Sequence, residues 1–245
     1  MSLPVQLTKN PLVSVVFEIR FDSTVPMSSV LPGLLFTKLN CTTINKTPHA
    51  DIPEIVRKQN DQFAYVPVIT MDWGKYQVNI GDKVLMLACS MPYLGWEAFS
   101  AKIQELISHF AASNFPIRVE RFSLKYVDLI EYQTVNEIKP LLNFNVFIGG
   151  EDVDLEYVQL RSEKRTEDIV TIMQFLGQAE AHMGNEMPKF GLLIDIDCIK
   201  PVDNVPLEKF NNFTDELDAL HLKTKKAFFN FISKEGLVYL GATYA

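Results

Sequence analysis

The chain is poor in the groups that most often announce a function. Among its 245 residues are three cysteines (Cys41, Cys89, Cys198), four histidines and two tryptophans. The cysteines are odd in number and widely spaced, and two of them close predicted buried strands. They read as small core hydrophobes of a reducing compartment, not as a disulfide framework. The histidines (His49, His109, His182, His221) never stand four apart, so the helical metal-binding pair is missing. No apolar run reaches the ~20 residues that a bilayer span needs. Met1–Pro11 is polar and lacks the apolar stretch of a secretory leader. The expectation is a cytoplasmic protein with no membrane partner. Basic residues are outnumbered 23 to 30, for a net charge of −7. A chain of that sign lacks the basic surface that grips phosphate backbones, so nucleic acid is disfavoured. No GxSxG, P-loop or GxGxxG segment occurs, and no cofactor is implied.

What the chain does have is apolar material and a repeat. Hydrophobic residues make up 47% and phenylalanine alone counts 17, which suits a core of sheets and helices. In Leu12–Asp22, the residues Val13, Val15, Phe17, Ile19 and Phe21 alternate with Ser14, Val16, Glu18, Arg20 and Asp22. Period two with one apolar face is a half-buried strand. Arg121–Glu131 echoes it 109 positions later, with Phe122, Leu124, Tyr126, Asp128 and Ile130 on the matching face. Cys89-Ser90-Met91-Pro92 and Cys198-Ile199-Lys200-Pro201 are again 109 apart. Each ends an apolar strand, Val84–Cys89 and Leu192–Cys198, and precedes an amphipathic helix. Repeats fix a fold reading before anything else does.

The predicted fold is α+β: two tandem β-α-β-β-β-α pseudo-repeats with mostly antiparallel sheets and helices packed on the sheet faces. Residues 1–116 form the first half and 117–245 the second. No low-complexity linker parts them, so the halves are expected to share a sheet or a core. In architecture alone this resembles the internal duplication of sliding-clamp domains, and architecture does not give function. The first half is predicted as a strand, a helix over 26–40, and an irregular polar stretch over 41–62 with a short helix near 52–58. Strands at 63–70, 75–80 and 83–90 and a helix over 96–113 complete it. The second half has its strand from 117, a short helix over 137–144 and strands at 154–165 and 168–176. A loop over 177–189, a strand at 190–200, a long helix over 207–234 and an apolar tail at 237–244, either a terminal strand or packed on the body, follow.

Asn10-Pro11-Leu12, running into Val16-Phe17-Glu18-Ile19-Arg20-Phe21, resembles the opening of a sporadically distributed prokaryotic family of uncharacterised proteins of about this length. Leu124–Ile130 is similar to that family's central Arg-Tyr-x-Asn segment, with Lys125 in place of arginine and Asp128 in place of asparagine. Leu220-His221, Ala227-Phe228-Phe229, Ile232-Ser233 and Glu235 are similar to its C-terminal helix. The resemblance implies the boundaries and brings no mechanism with it.

Four residues are the ligand-binding candidates. Glu18 and Arg20 share the polar face of the first strand, and with Lys125 they make a polar cluster if the two copies meet about a pseudo-twofold axis. A solvated sheet face is the ordinary alternative. Asp128 falls on an apolar face, where a carboxylate is costly unless paired. It is either a binding or acid–base group, or a structural hydrogen bond to backbone or a lysine, or a strand end already in water. Asp195 and Asp197 lie on one face of a strand about 7 Å apart, a weak candidate for a divalent cation. The functional expectation is a non-enzymatic binding or protein-interaction module, whose partner is a protein, a small ligand or a second copy of the chain. The alternative is a metal-assisted hydrolase or nuclease built around Asp195 and Asp197.

Overall fold

The computed structural model describes residues 3–60, 62–166, 168–182, 187–210 and 213–244. The fold is α+β with mostly antiparallel sheets. In chain order its main elements begin with β1 (Leu12–Asp22), α1 (Leu31–Lys38), β2 (Thr43–Lys46), α2 (Glu54–Gln59), β3 (Pro67–Trp73), β4 (Tyr76–Gly81), β5 (Val84–Cys89) and α3 (Trp96–Ala111). Then come β6 (Arg118–Glu131), β7 (Gln159–Thr166), β8 (Ile169–Ala181), β9 (Lys189–Pro206), α4 (Thr214–Phe231) and α5 (Lys234–Tyr239). No helix among the described residues is long and apolar enough to cross a membrane.

The chain divides into two compact units, each discontinuous in sequence. The larger holds Val15–Leu124 and Ile199–Leu220; the smaller holds Met1–Ser14, Lys125–Cys198 and His221–Ala245. Strands β1, β6 and β9 contribute residues to both.

In the larger unit the strand order is β9-β6-β1-β5-β4-β3-β2, and β1/β5, β5/β4, β4/β3 and β3/β2 are antiparallel. The register sorts side chains by face. Phe17, Leu87, Val78 and Met71 stand opposite one another across four strands, as do Ile19, Leu85 and Ile80. All seven are buried, and α3 closes over this face with Phe99, Ile103, Leu106, Ile107 and Phe110. These five recur at three- and four-residue spacing, which puts them on one side of a helix. Phe110 meets Phe21 with ring centroids 5.1 Å apart, and Phe213 joins Phe17 and Phe122 at 6.2 and 5.6 Å.

The described residues of 41–62 are more regular than their polarity predicts. They supply an edge strand, β2, and the helix α2, and both are tied down by polar contacts. Thr43 Oγ1 donates to Asp72, and Thr47 Oγ1 donates to the Pro67 carbonyl at 2.7 Å. The buried Arg57 reaches Asp82 in the β4–β5 turn, with Nε 2.9 Å from Oδ2, and also donates to the Ile52 carbonyl. Ser28 donates to the same carboxylate.

In the smaller unit the order is β7-β8-β9-β6-β1, with β7 and β8 antiparallel from Gln159↔Leu176 to Thr166↔Ile169. Phe175 anchors its core, stacked on Phe144 at 4.7 Å and edge-on to Phe231 at 4.6 Å. Strand β8 continues to Ala181, into the predicted loop 177–189, whose residues 183–186 lie outside the described ones. The predicted long helix is shorter at both ends. Its first residues form a 3-10 turn over Leu207–Phe210, and it stops at Phe231 because Ser233 starts a new helix. Ser233 Oγ accepts from the Gly236 amide at 2.9 Å and donates to the Pro140 carbonyl at 2.7 Å. A side chain at Gly236 would meet the Leu141 carbonyl, so glycine lets the new helix lie that close. A Ser233→Ala variant is therefore expected to lose about 1–2 kcal/mol in urea denaturation, the usual worth of a cap.

Candidate functional site

The second face of the larger unit's sheet carries the polar residues left over from core building. Glu18, Met86, Asn79, Thr70 and Asn45 face one another in one row across five strands; Val16, Ala88, Gln77, Asp72 and Thr43 form the next. Most of these side chains are half-buried. Strands alternate in direction, so each pair of opposed residues points the same way, and rows of one chemistry follow from period two.

At the β1 end of this face the charges concentrate. Glu18, only 9% exposed, accepts from two guanidinium groups through the same oxygen. Arg20 Nε lies 2.6 Å from Oε1 and Arg121 Nη2 lies 2.7 Å from it. Arg20 also stacks over the Tyr65 ring at 4.4 Å, a cation–π contact. The Tyr65 hydroxyl donates to Glu120 Oε2 at 2.8 Å. Burial and that carboxylate push the phenol up to about 12, so it stays a donor at any physiological pH. The Arg121 Nε–H is buried with no partner among the described residues. With Glu120 counted, two carboxylates stand beside two guanidinium groups, so the cluster is neutral as a whole and what it offers is guanidinium N–H donors held in place. Such a pair of forks suits a carboxylate or phosphate group.

The predicted residues are thus divided. Glu18 and Arg20 do form a polar cluster, and its further cation is Arg121. Lys125 lies in the smaller unit, where its Nζ is 2.8 Å from Asp195 Oδ2. Asp195 also accepts from Gln174 Nε2 at 3.3 Å, and the half-buried Asp197 is engaged as well. No group of three histidine, cysteine, aspartate or glutamate residues fit to hold a metal occurs among the described residues. Asp128 is 6% exposed. Its carboxyl makes no hydrogen bond or ion pair with the described residues, and burial alone pushes it up to about 8. It is therefore an uncharged acid at neutral pH. Tyr126, two residues away on the same side of β6, bonds His221 Nδ1 through its hydroxyl at 3.1 Å.

Sequence reasoning missed Arg121, Tyr65 and Glu120. One signal for Arg121 exists: it lies four residues before Lys125, hence on the same strand face. Which of the two cations meets Glu18 depends on the pairing register of β1 and β6, and a single strand pattern does not fix register. Tyr65 comes from a turn just before β3 and has no sequence signal at all.

Compared with known protein families and with curated proteins, the chain matches none.

Proposed function

We propose that this protein is a non-enzymatic binding module that recognises an acidic group, carried by a protein partner or a small organic acid, on the open sheet face around Arg20 and Arg121. The observation that carries the reading is the sharing of Glu18 Oε1 by two guanidinium groups. The carboxylate holds both forks in place through one oxygen, and Glu120 beside Tyr65 balances the second charge, so the attraction for a ligand lies in the aligned donors. A preorganised, half-desolvated pair of donors loses little freedom on binding, which is where affinity is gained. Asp195, the centre of the hydrolase alternative, is already compensated by Lys125, and this weighs toward binding.

The element order supports descent from a duplicated β-α-β-β-β-α ancestor. β1 and α1 are answered by β6 and the short helix Val135–Ile138, then β3, β4, β5 and α3 by β7, β8, β9 and α4. Cys89 and Cys198 are buried in the strands that precede α3 and α4. The edge strand β2 and helix α2 would then be additions to the first copy.

The test is calorimetric titration with a short poly-glutamate peptide and, separately, with citrate. One of them is expected to bind at low ionic strength and to weaken as salt is raised. Arg20→Ala and Arg121→Ala should each cost about tenfold in affinity, the worth of a charge-assisted hydrogen bond. Glu18→Gln should tighten binding by freeing a full positive charge. Failure of both probes to bind, or equal binding by the arginine variants, overturns the reading.

A further inference from the structure

The smaller unit contains a cavity of about 260 Å³ that the sheet-face reading does not use. Its floor is aliphatic: Pro11, Leu129, Ile130 and Leu240 line it, and all four are buried. Its rim is polar, made by Lys9, Asn10, Glu131, Lys189 and Tyr239. The backbone holds this arrangement firmly. The Leu129 amide donates to the Pro11 carbonyl at 2.8 Å, and the Lys9 amide donates to the Leu240 carbonyl at 3.0 Å. The Asn10 side-chain oxygen accepts from the Leu12 amide at 3.1 Å, so its amide nitrogen is left as the donor.

The two rim cations differ. Lys189 is paired with Glu131 at 3.2 Å. Lys9 lies over the Tyr239 ring, 4.2 Å from its centre, and has no carboxylate partner among the described residues. An aromatic face attracts an ammonium but does not neutralise it, and it leaves the N–H donors unused. The rim thus holds one uncompensated positive charge above an apolar floor.

We propose that this cavity binds a small aliphatic carboxylate, with the carboxylate on Lys9 and the Asn10 amide and the hydrocarbon against Leu129, Ile130 and Leu240. Charge complementarity selects the anion and the floor selects the branched or straight chain. The volume sets the size, since a cavity of about 260 Å³ is a little smaller than the usual site for a drug-sized ligand. The pairing with Glu131 makes Lys189 a weaker contributor than Lys9, because its charge is already matched.

The proposal is tested on the full chain by ligand-detected NMR with 4-methylpentanoate, against 4-methylpentanamide and 3-methylbutylamine as neutral and cationic analogues. The carboxylate should bind, and the amide should bind about tenfold more weakly or not at all. The amine should not compete. Lys9→Gln should weaken the carboxylate about tenfold and leave the amide unchanged, while Glu131→Gln should tighten the carboxylate by releasing Lys189. Equal binding of carboxylate and amide overturns the proposal, as does unchanged carboxylate binding in Lys9→Gln, or no carboxylate binding at millimolar concentration. Because Lys9 is exposed, its replacement leaves the fold intact. The analogue series needs no variant at all. Arg20→Ala and Arg121→Ala should not alter carboxylate binding here, so this site and the sheet-face site fail or stand separately.

Discussion

Asp128→Asn is expected to flatten the pH dependence of stability and to leave the protein more stable than the wild type above neutral pH. The cause is the burial of an acid that the described residues do not solvate. Its pKa is about 8 in the folded chain, against 3.8 as the ordinary value. Between those limits the folded protein holds a proton that the unfolded chain has lost. Stability therefore falls as pH rises through this window, by about 1.4 kcal/mol per pH unit from this group alone. Below the ordinary carboxylate value both states are protonated and the penalty vanishes; above about 8 it is complete, of order 5 kcal/mol. Asparagine copies the shape of the neutral acid and cannot ionise. Urea denaturation of both proteins from pH 4.5 to 9 isolates the effect, because other titrating groups cancel in the difference. Two parallel stability curves would show that Asp128 is ionised and paired.

The second large effect is expected at Arg57 and Asp82. The pair is buried, bidentate and shared with Ser28 and the Ile52 carbonyl. Removing one member strands the other as an uncompensated charge, so Asp82→Ala or Arg57→Ala should each cost about 3–5 kcal/mol in urea denaturation. Replacing both by apolar residues of similar size, Arg57→Met with Asp82→Leu, should recover most of that loss, because the cost lies in the stranded charge and not in the pair as such. If each single variant loses less than about 1 kcal/mol, as exposed pairs do, the pair is open to water. If the double variant loses as much as the two singles together, the residues act independently.

These two sites show what the sequence can and cannot carry. The apolar alternation of β1 and the three- and four-residue spacing of α3 were legible because each element records its own buried face. Asp128 was legible for the same reason: a charge written into an apolar row stands out. Arg57 was not. It lies in a polar stretch with two prolines, and its partner is 25 residues away in a hairpin turn. Nothing local marks the pairing, and the regularity of β2 and α2 follows from that ion pair and from the edge contacts of β2. The extension of β8 to Ala181 was missed because small and polar residues there alternate without an apolar signal. In the polar cluster, Glu18 and Arg20 came from one strand and could be read together, whereas Arg121, Tyr65 and Glu120 arrive through tertiary pairing.

All three cysteines are buried, Cys41 and Cys89 in the larger unit and Cys198 in the smaller, and burial raises the pKa of each thiol. Alkylating reagents attack the thiolate, so the native chain resists them twice over, by occlusion and by protonation. Reaction must wait for a transient opening of the surrounding structure. The modification rate at each sulfur then becomes a clock for the breathing of its own unit, read by mass without a label, a probe or any engineered residue.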